Sequence, residues 1–480
     1  MSFKGILKSG IALGVLACAG AAHSQEAPAE AAPQAAEGDI IIVTGTNIQG
    51  ARINEALPVT IVGQNDLDAI GGVDGEDLIR SLPSQGGVQF RTDNNTTNNN
   101  ARGDVASINL RSIGSSGTLV LLNGRRIVNH PSTQAELSTP VTTTNVNALP
   151  VAGIERVEVL NDGASAIYGS DAVAGVFNTI LMDDVDGLYL RGRYLYATNS
   201  GLDESTLTLR TGRDFNDGRT NISVSAEYSH RNGMFANEHP LSASEDTRPF
   251  LVGTSFEGDT SFDNRATASP WGQWTLRTTS ATRVRQNGTT LTSTSGVFHL
   301  QPTSFAGCRA ATAGALSVAD LCIDDGSQDR DLRFDGAYER SIISDRDRFN
   351  MFAFLNHDLA NGVRLYGEFG LYYAETHSTN EPRNGISATE ISVPRNYYWN
   401  PFGPVNFSNG DPNPNRLPGL SNVPVEGLPV FTDAGRYRFV DVGFRDVDVV
   451  NSQWRLLGGA RGEFGQSGWD WDSAILYSRS

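Results

Sequence analysis

Leu119-Val120-Leu121-Leu122-Asn123-Gly124-Arg125-Arg126 is the stretch on which the fold turns. Thr118 to Leu122 is a strongly apolar strand, and Asn123-Gly124 accepts the positive φ angles of a tight turn. The chain from Arg125 to Val128 therefore returns beside it as a hairpin. Downstream, Ile154 to Leu160 sets Glu155, Val157 and Val159 against Arg156 and Glu158, the period of another strand. Gly163 to Gly169 is a small helical turn, and Val176 to Ile180 is a closing strand. Upstream, Pro58-Val59-Thr60-Ile61-Val62 is a short strand. Asp74 can cap a helix with Asp77 in its first turn, Leu78, Ile79 and Leu82 as its apolar side and Pro83 as its stop. Ile108-Asn109-Leu110-Arg111 is expected to be a further strand. These pieces predict a compact α/β domain over residues 47–180. It is interrupted at residues 91–100 by an Asn/Thr-rich loop with nothing to bury.

The residues before this domain carry an export address. Lys4 and Lys8 precede an apolar run from Ile11 to Ala22, and Ala22-His23-Ser24 offers small residues where a signal peptidase reads. Residues 1–24 are thus expected to be a cleaved signal peptide, too short for a stable membrane span. Val15-Leu16-Ala17-Cys18 partly resembles a lipoprotein cleavage site, although Leu16 is bulky for one. The next residues, 25–38, are rich in Ala, Pro and Glu and have no periodicity, which is the composition of a flexible linker. Asp39-Ile40-Ile41-Ile42-Val43-Thr44 then sets strand-forming residues beside that arm. Such a segment either adds itself to a partner's sheet edge or becomes the first strand of the following domain.

After residue 180 the pattern changes to long alternation. Leu188, Leu190, Gly192, Tyr194 and Tyr196 alternate with Tyr189, Arg191 and Arg193. Leu207, Leu209, Thr211 and Phe215 do so with Thr206, Thr208, Arg210 and Asp214. Ile222, Val224, Ala226 and Tyr228 alternate with Ser223, Ser225, Glu227 and Ser229, and Trp454, Leu456, Ala460 and Phe464 with Arg455, Arg461 and Glu463. One face suits lipid and the other a wet lumen. Short turns at Asp217-Gly218, Asn361-Gly362 and residues 465–468 alternate with long excursions over residues 231–348 and 376–435. That asymmetry marks an outer-membrane barrel, whereas a soluble β-sandwich or propeller accounts for the alternation alone. No segment after the leader reaches about 18 consecutive apolar residues, so no helical anchor is expected.

These residues together resemble the TonB-dependent receptors. Residues 39–44 look like a TonB box, and residues 119–126 are similar to the plug hairpin. Residues 154–159, followed by Gly163-Ala164-Ser165-Ala166-Ile167-Tyr168-Gly169 and by Ala172-Val173-Ala174-Gly175-Val176-Phe177-Asn178-Thr179-Ile180, resemble the end of the plug. The proline of the family's Gly-Pro-Ala-Ser pattern is absent, since Ala164 follows Gly163 directly.

The resemblance implies an α/β plug domain followed by an antiparallel transmembrane β-barrel. The chain divides as 1–24 signal peptide, 25–46 linker and TonB box, 47–180 plug, and 181–480 the N-terminal part of the barrel with long extracellular loops. It implies residence in the outer membrane among its lipids, and energy-coupled uptake of a scarce ligand such as an iron chelate, a saccharide, a peptide or cobalamin. Asp39, Ile40, Ile41, Ile42, Val43 and Thr44 would meet TonB, the partner that draws on the inner-membrane proton gradient. Alternation marks about seven strands after residue 180, with residues 436–444 as an eighth, against about 22 in a complete plugged transporter, so the sequence is expected to be incomplete.

Within the plug, Arg91, Asn94, Asn95, Asn98, Asn99 and Asn100 are candidate ligand contacts on the polar loop, which otherwise is a solvated surface loop. Cys18 leaves with the leader, so Cys308 and Cys322 remain as a pair in an exported excursion, most simply as one disulfide.

Other chemistry finds little support. Gly163-Ala164-Ser165-Ala166-Ile167 lacks the closing glycine of a nucleophile elbow, so no catalytic residue is expected. His130, His357 and His377 are scattered. Asp324, Asp325, Asp329 and Asp331 lack the order of a calcium loop, so neither a metal nor a cofactor is assigned. Asn95-Thr96-Thr97 matches a glycosylation acceptor, which carries little meaning in bacterial-type export. With 37 Lys and Arg against 54 Asp and Glu, the net charge of -17 excludes a general nucleic-acid binder. The competing class is a surface adhesin or binding protein, which would need no TonB box and no proton gradient.

Overall fold

A computed structural model describes residue 44 and residues 59–70, 74–85, 103–136, 139–276, 284–292, 296–308, 321–324, 332–338, 340–384, 390–433, 436–465 and 469–480. The plug is built on a five-stranded mixed sheet. Strands β1 (Val59–Gly63), β2 (Thr118–Leu122), β3 (Arg125–Arg126), β4 (Ile154–Leu160) and β5 (Gly175–Leu181) stand in the order β1-β4-β5-β2-β3. β2 runs parallel to β5, and the other neighbours are antiparallel. The β2–β3 turn forms as the sequence predicts, with φ of 49° at Asn123 and 75° at Gly124, a backbone that Gly tolerates without cost.

Two short helices precede β2, α1 (Gln64–Ile70) and α2 (Gly75–Arg80). No helix is expected at α1. α2 forms as expected, and its cap residue Asp74 accepts a 2.8 Å bond from the Asp77 amide. Leu78, Ile79 and Leu82 pack with Val120, Leu122, Val157, Val159 and Phe177 as the core of one sheet face. Full burial of a side chain the size of Phe177 contributes about 1.5–3 kcal/mol. Leu119, Leu121, Leu160 and Val176 pack on the opposite face beside α3 (Ser165–Tyr168). β2 is therefore buried on both sides, which is why it is apolar from Leu119 to Leu122.

The strand expected at residues 108–111 does not form. Only Leu110 makes a single bridge, to Gln85, and positive φ at Arg111 and Ser112 ends the extended backbone. Side chains replace a partner strand there: the Leu110 amide donates to Thr118 Oγ1 and the Asn109 amide to Gln85 Oε1.

The chain beyond the plug forms one seven-stranded antiparallel sheet in sequence order: β6 (Gly187–Tyr196), β7 (Asp203–Phe215), β8 (Thr220–Arg231), β9 (Asp345–Asp358), β10 (Arg364–Asn380), β11 (Arg445–Glu463) and β12 (Asp470–Arg479). These are the seven strands marked by alternation. Residues 436–444 add no eighth: the chain there makes the 3-10 turn Val440–Val442 and isolated bridges from Tyr437 and Arg438. Ile222, Leu355 and Leu456 face outward and are exposed. The polar face is not a wet lumen, because the plug covers it. Ser223 and Asn356 both donate to the Asp183 carbonyl, and Phe352 and Phe354 join the plug core.

Residues 216–219 and 359–363 make turns at one end, where β11 also runs on to β12, and the two long connections that follow β8 and β10 lie at the other. The two long connections are expected to be extracellular loops. They instead fold onto each other. Strands Leu321–Asp324, Val297–Pro302 and Trp274–Thr275 of the first join Val430–Asp433 and Glu390–Val393 of the second in one sheet, with Trp274 paired to Thr432. A second core, including Leu276, Phe298, Ile323, Phe402, Leu417 and Val430, holds this cap together.

In the cap, Cys308 and Cys322 come together with Cα atoms 6.5 Å apart, inside the span of a disulfide. The expected result for the oxidised mature protein is a linked peptide pair in unreduced mass spectrometry, worth on the order of 3 kcal/mol in the chain-entropy account. Two free thiols would contradict the pairing.

Candidate functional site

Two buried polar clusters place the plug: one around Thr44, one where the plug meets the barrel wall. Of the residues expected to meet TonB, Asp39, Ile40, Ile41, Ile42 and Val43 lie outside the described residues. So do the candidate ligand contacts Arg91, Asn94, Asn95, Asn98, Asn99 and Asn100. Thr44 is placed, and it is buried in the plug. Its amide and its hydroxyl both donate to Glu158 Oε2, at 3.1 and 2.5 Å, and Asn178 Nδ2 donates to its Oγ1 at 2.9 Å. Glu158, on β4, is wholly buried although it falls in the polar half of the strand's alternation. Arg156 reaches its other oxygen at 2.9 Å.

The second cluster was not legible as a site. Arg346 and Arg348 project from β9 into the plug, both buried, against Asp74 and Asp104. Arg348 grips Asp104 with two bonds of 2.5 Å, from Nε to Oδ2 and from Nη2 to Oδ1. Its Nη2 also reaches Asp74 Oδ2 at 3.2 Å, where Arg346 Nη1 donates at 2.9 Å. The Tyr372 hydroxyl of β10 donates to Asp104 Oδ2 at 2.9 Å and Asn147 Nδ2 to Oδ1 at 3.1 Å. Asp74 thus caps α2 with one oxygen and binds the wall with the other. Burial by itself would raise both carboxyls, but Arg348 and then Arg346 outweigh it and hold Asp74 and Asp104 below the ordinary value of 3.8. Two guanidinium groups facing two carboxylates, with further hydrogen bonds, meet the conditions for burying charge.

A third line of contact runs from the β2–β3 turn. Arg125 donates to the Tyr366 hydroxyl at 2.7 Å and to Asp472 at 3.2 Å, and Asn123 to Glu368, which Arg455 also holds at 3.1 Å. Nearer the cap, His130 Nε2 lies 3.0 Å from Asn451 Oδ1. These groups form a joint between plug and wall that has to part wherever the plug moves.

Parts of this chain are similar to known proteins. The sequence profile of the TonB-dependent Receptor Plug Domain matches residues 52–176. The vitamin B12 transporter BtuB of Photobacterium profundum is 30% identical over 142 residues, covering 30% of this chain and 20% of BtuB. Among solved structures, the siderophore receptor PirA of Acinetobacter baumannii is 13% identical with a TM-score of 0.32, over 88% of this chain and 47% of that one. The pyoverdine outer membrane receptor FpvA of Pseudomonas aeruginosa is 11% identical with a TM-score of 0.33, over 88% and 46%. The chain thus spans a fifth of BtuB and under half of either receptor structure. Residues 52–176 match the plug domain of TonB-dependent receptors and are set against an antiparallel sheet of seven long strands, which together support a TonB-dependent receptor.

Proposed function

We propose that this protein carries a scarce ligand across the outer membrane at the expense of the inner-membrane proton gradient, with TonB as the partner that pulls on residues 39–44. The observation that carries the reading is the joint between plug and wall, closed by Asp74 and Asp104 against Arg346 and Arg348. Apolar packing of the same volume would hold a merely structural filler as well or better, so a buried charged joint points to a role other than stability. The ligand is a small molecule such as an iron chelate, a saccharide, a peptide or cobalamin. Export with removal of residues 1–24 and residence in the outer membrane complete the proposal.

The test is uptake of a labelled panel drawn from those classes by cells with and without the gene. Accumulation of one class that depends on the gene supports transport, and surface binding without accumulation supports an adhesin. The upper plug is proposed to share in binding through residues 91–100. Replacing residues 94–100 with a Gly/Ser linker is expected to weaken affinity for the accumulated ligand about tenfold, as for loss of one or two hydrogen bonds, while the barrel still assembles. Unchanged affinity would remove that role.

A further inference from the structure

Thr44 is the point at which the TonB-box segment becomes part of the plug, and Glu158 is what holds it there. We propose that Glu158 is a positioning residue that clasps the end of this segment and sets the threshold at which it is released. The inference rests on the coupling role proposed above.

The carboxylate sits on β4 with no exposed surface. Its Oε1 takes Arg156 Nε, and among the described residues its Oε2 takes donors from Thr44 alone, one from the backbone and one from the hydroxyl. Withdrawing Thr44 strips that oxygen of both donors and leaves a buried charge half satisfied. Leaving such an acceptor unpaired is costly, so the clasp opens as a unit rather than by gradual fraying.

Asn178 ties the clasp to the rest of the joint. It lies opposite Glu158 in the β4–β5 register, and its Nδ2 donates to Thr44 Oγ1. Its Oδ1 accepts from the Gly124 amide at 3.0 Å, in the turn whose Asn123 reaches Glu368 of the wall. One amide side chain therefore touches both the segment to be pulled and the hairpin that meets the barrel. Opening of the clasp and displacement of that hairpin share a residue.

The experiment uses the full chain in outer-membrane vesicles with Thr46→Cys as a labelling site, background from the unsubstituted protein being subtracted. Thr44→Val removes the hydroxyl without touching the plug sheet, and Glu158→Gln weakens the acceptor. Each is expected to raise the maleimide labelling rate about tenfold, the factor for one hydrogen bond to a charged group. Thr44→Ser keeps both donors and is expected to label at the parent rate. An unchanged rate in Thr44→Val overturns the clasp, and so does an equal rise in Thr44→Ser. Capture by a purified periplasmic fragment of TonB is measured in parallel. Raised labelling with stronger capture supports clasp and coupling together. Raised labelling with no capture of parent or variant leaves the clasp standing and defeats the coupling reading.

Discussion

Proline in place of Ile42 is expected to abolish uptake while the protein still binds ligand at the cell surface. The substitution removes one backbone donor and restricts Ile41 to extended angles, so a strand that pairs with a partner's sheet edge loses a rung. Plug folding should barely change, because the core formed by the described residues begins at Val59 and the attachment at Thr44 lies beyond the substitution. The assay is accumulated ligand per bound ligand, expected to fall to background. A variant that loses binding and misfolds makes residues 39–44 a structural strand. Undiminished uptake removes them as the coupling site.

The second large effect is expected at Arg348. Replacing it with alanine leaves Asp104 and Asp74 buried with Arg346 as their remaining guanidinium partner, so the joint should lose about 3–5 kcal/mol, the cost of breaking a buried pair. Urea titration of the plug in the purified protein reads this directly. Arg348→Met, which removes the charge but fills the volume, should still be destabilising, since the carboxylates remain. Restoring most of the loss with Asp104→Asn in the Arg348→Met background would show that the stranded charge causes it. The same joint should weaken in acid. Asp74 and Asp104 titrate below 3.8 when folded, so their contribution is fully present above that pH and disappears as the pH falls through their lowered values. Near neutral pH it is constant. Arg348→Ala should flatten this acid dependence, and an Arg348→Ala protein as stable as the parent would contradict the role given to the joint.

Much of the architecture was legible because it is local or periodic. Asn123-Gly124 fixes a turn by backbone angle, Asp74 announces a helix three residues before Asp77, and the outer strands repeat every second residue. What escaped is what depends on residues distant in sequence. The alternation of β9 already places Arg346, Arg348, Asn350, Phe352 and Phe354 on one face, but nothing local says that Asp74 and Asp104 lie opposite. The excursion expected over residues 231–348 takes in both arginines, whereas β9 already begins at Asp345. The cap was missed for a related reason. Its strands are two to six residues long and pair across two excursions, so none shows a period of its own. Glu158 was visible as a polar position, and its burial follows only from Thr44 and Arg156 arriving to satisfy it.

Energy-coupled transport through a plugged barrel is tested most directly by uptake with the proton gradient intact and collapsed, in cells expressing the full protein at equal surface binding. The expected result is accumulation that a protonophore reduces to the level of bound ligand, with binding itself unchanged. Accumulation that continues unchanged without the gradient would contradict the account.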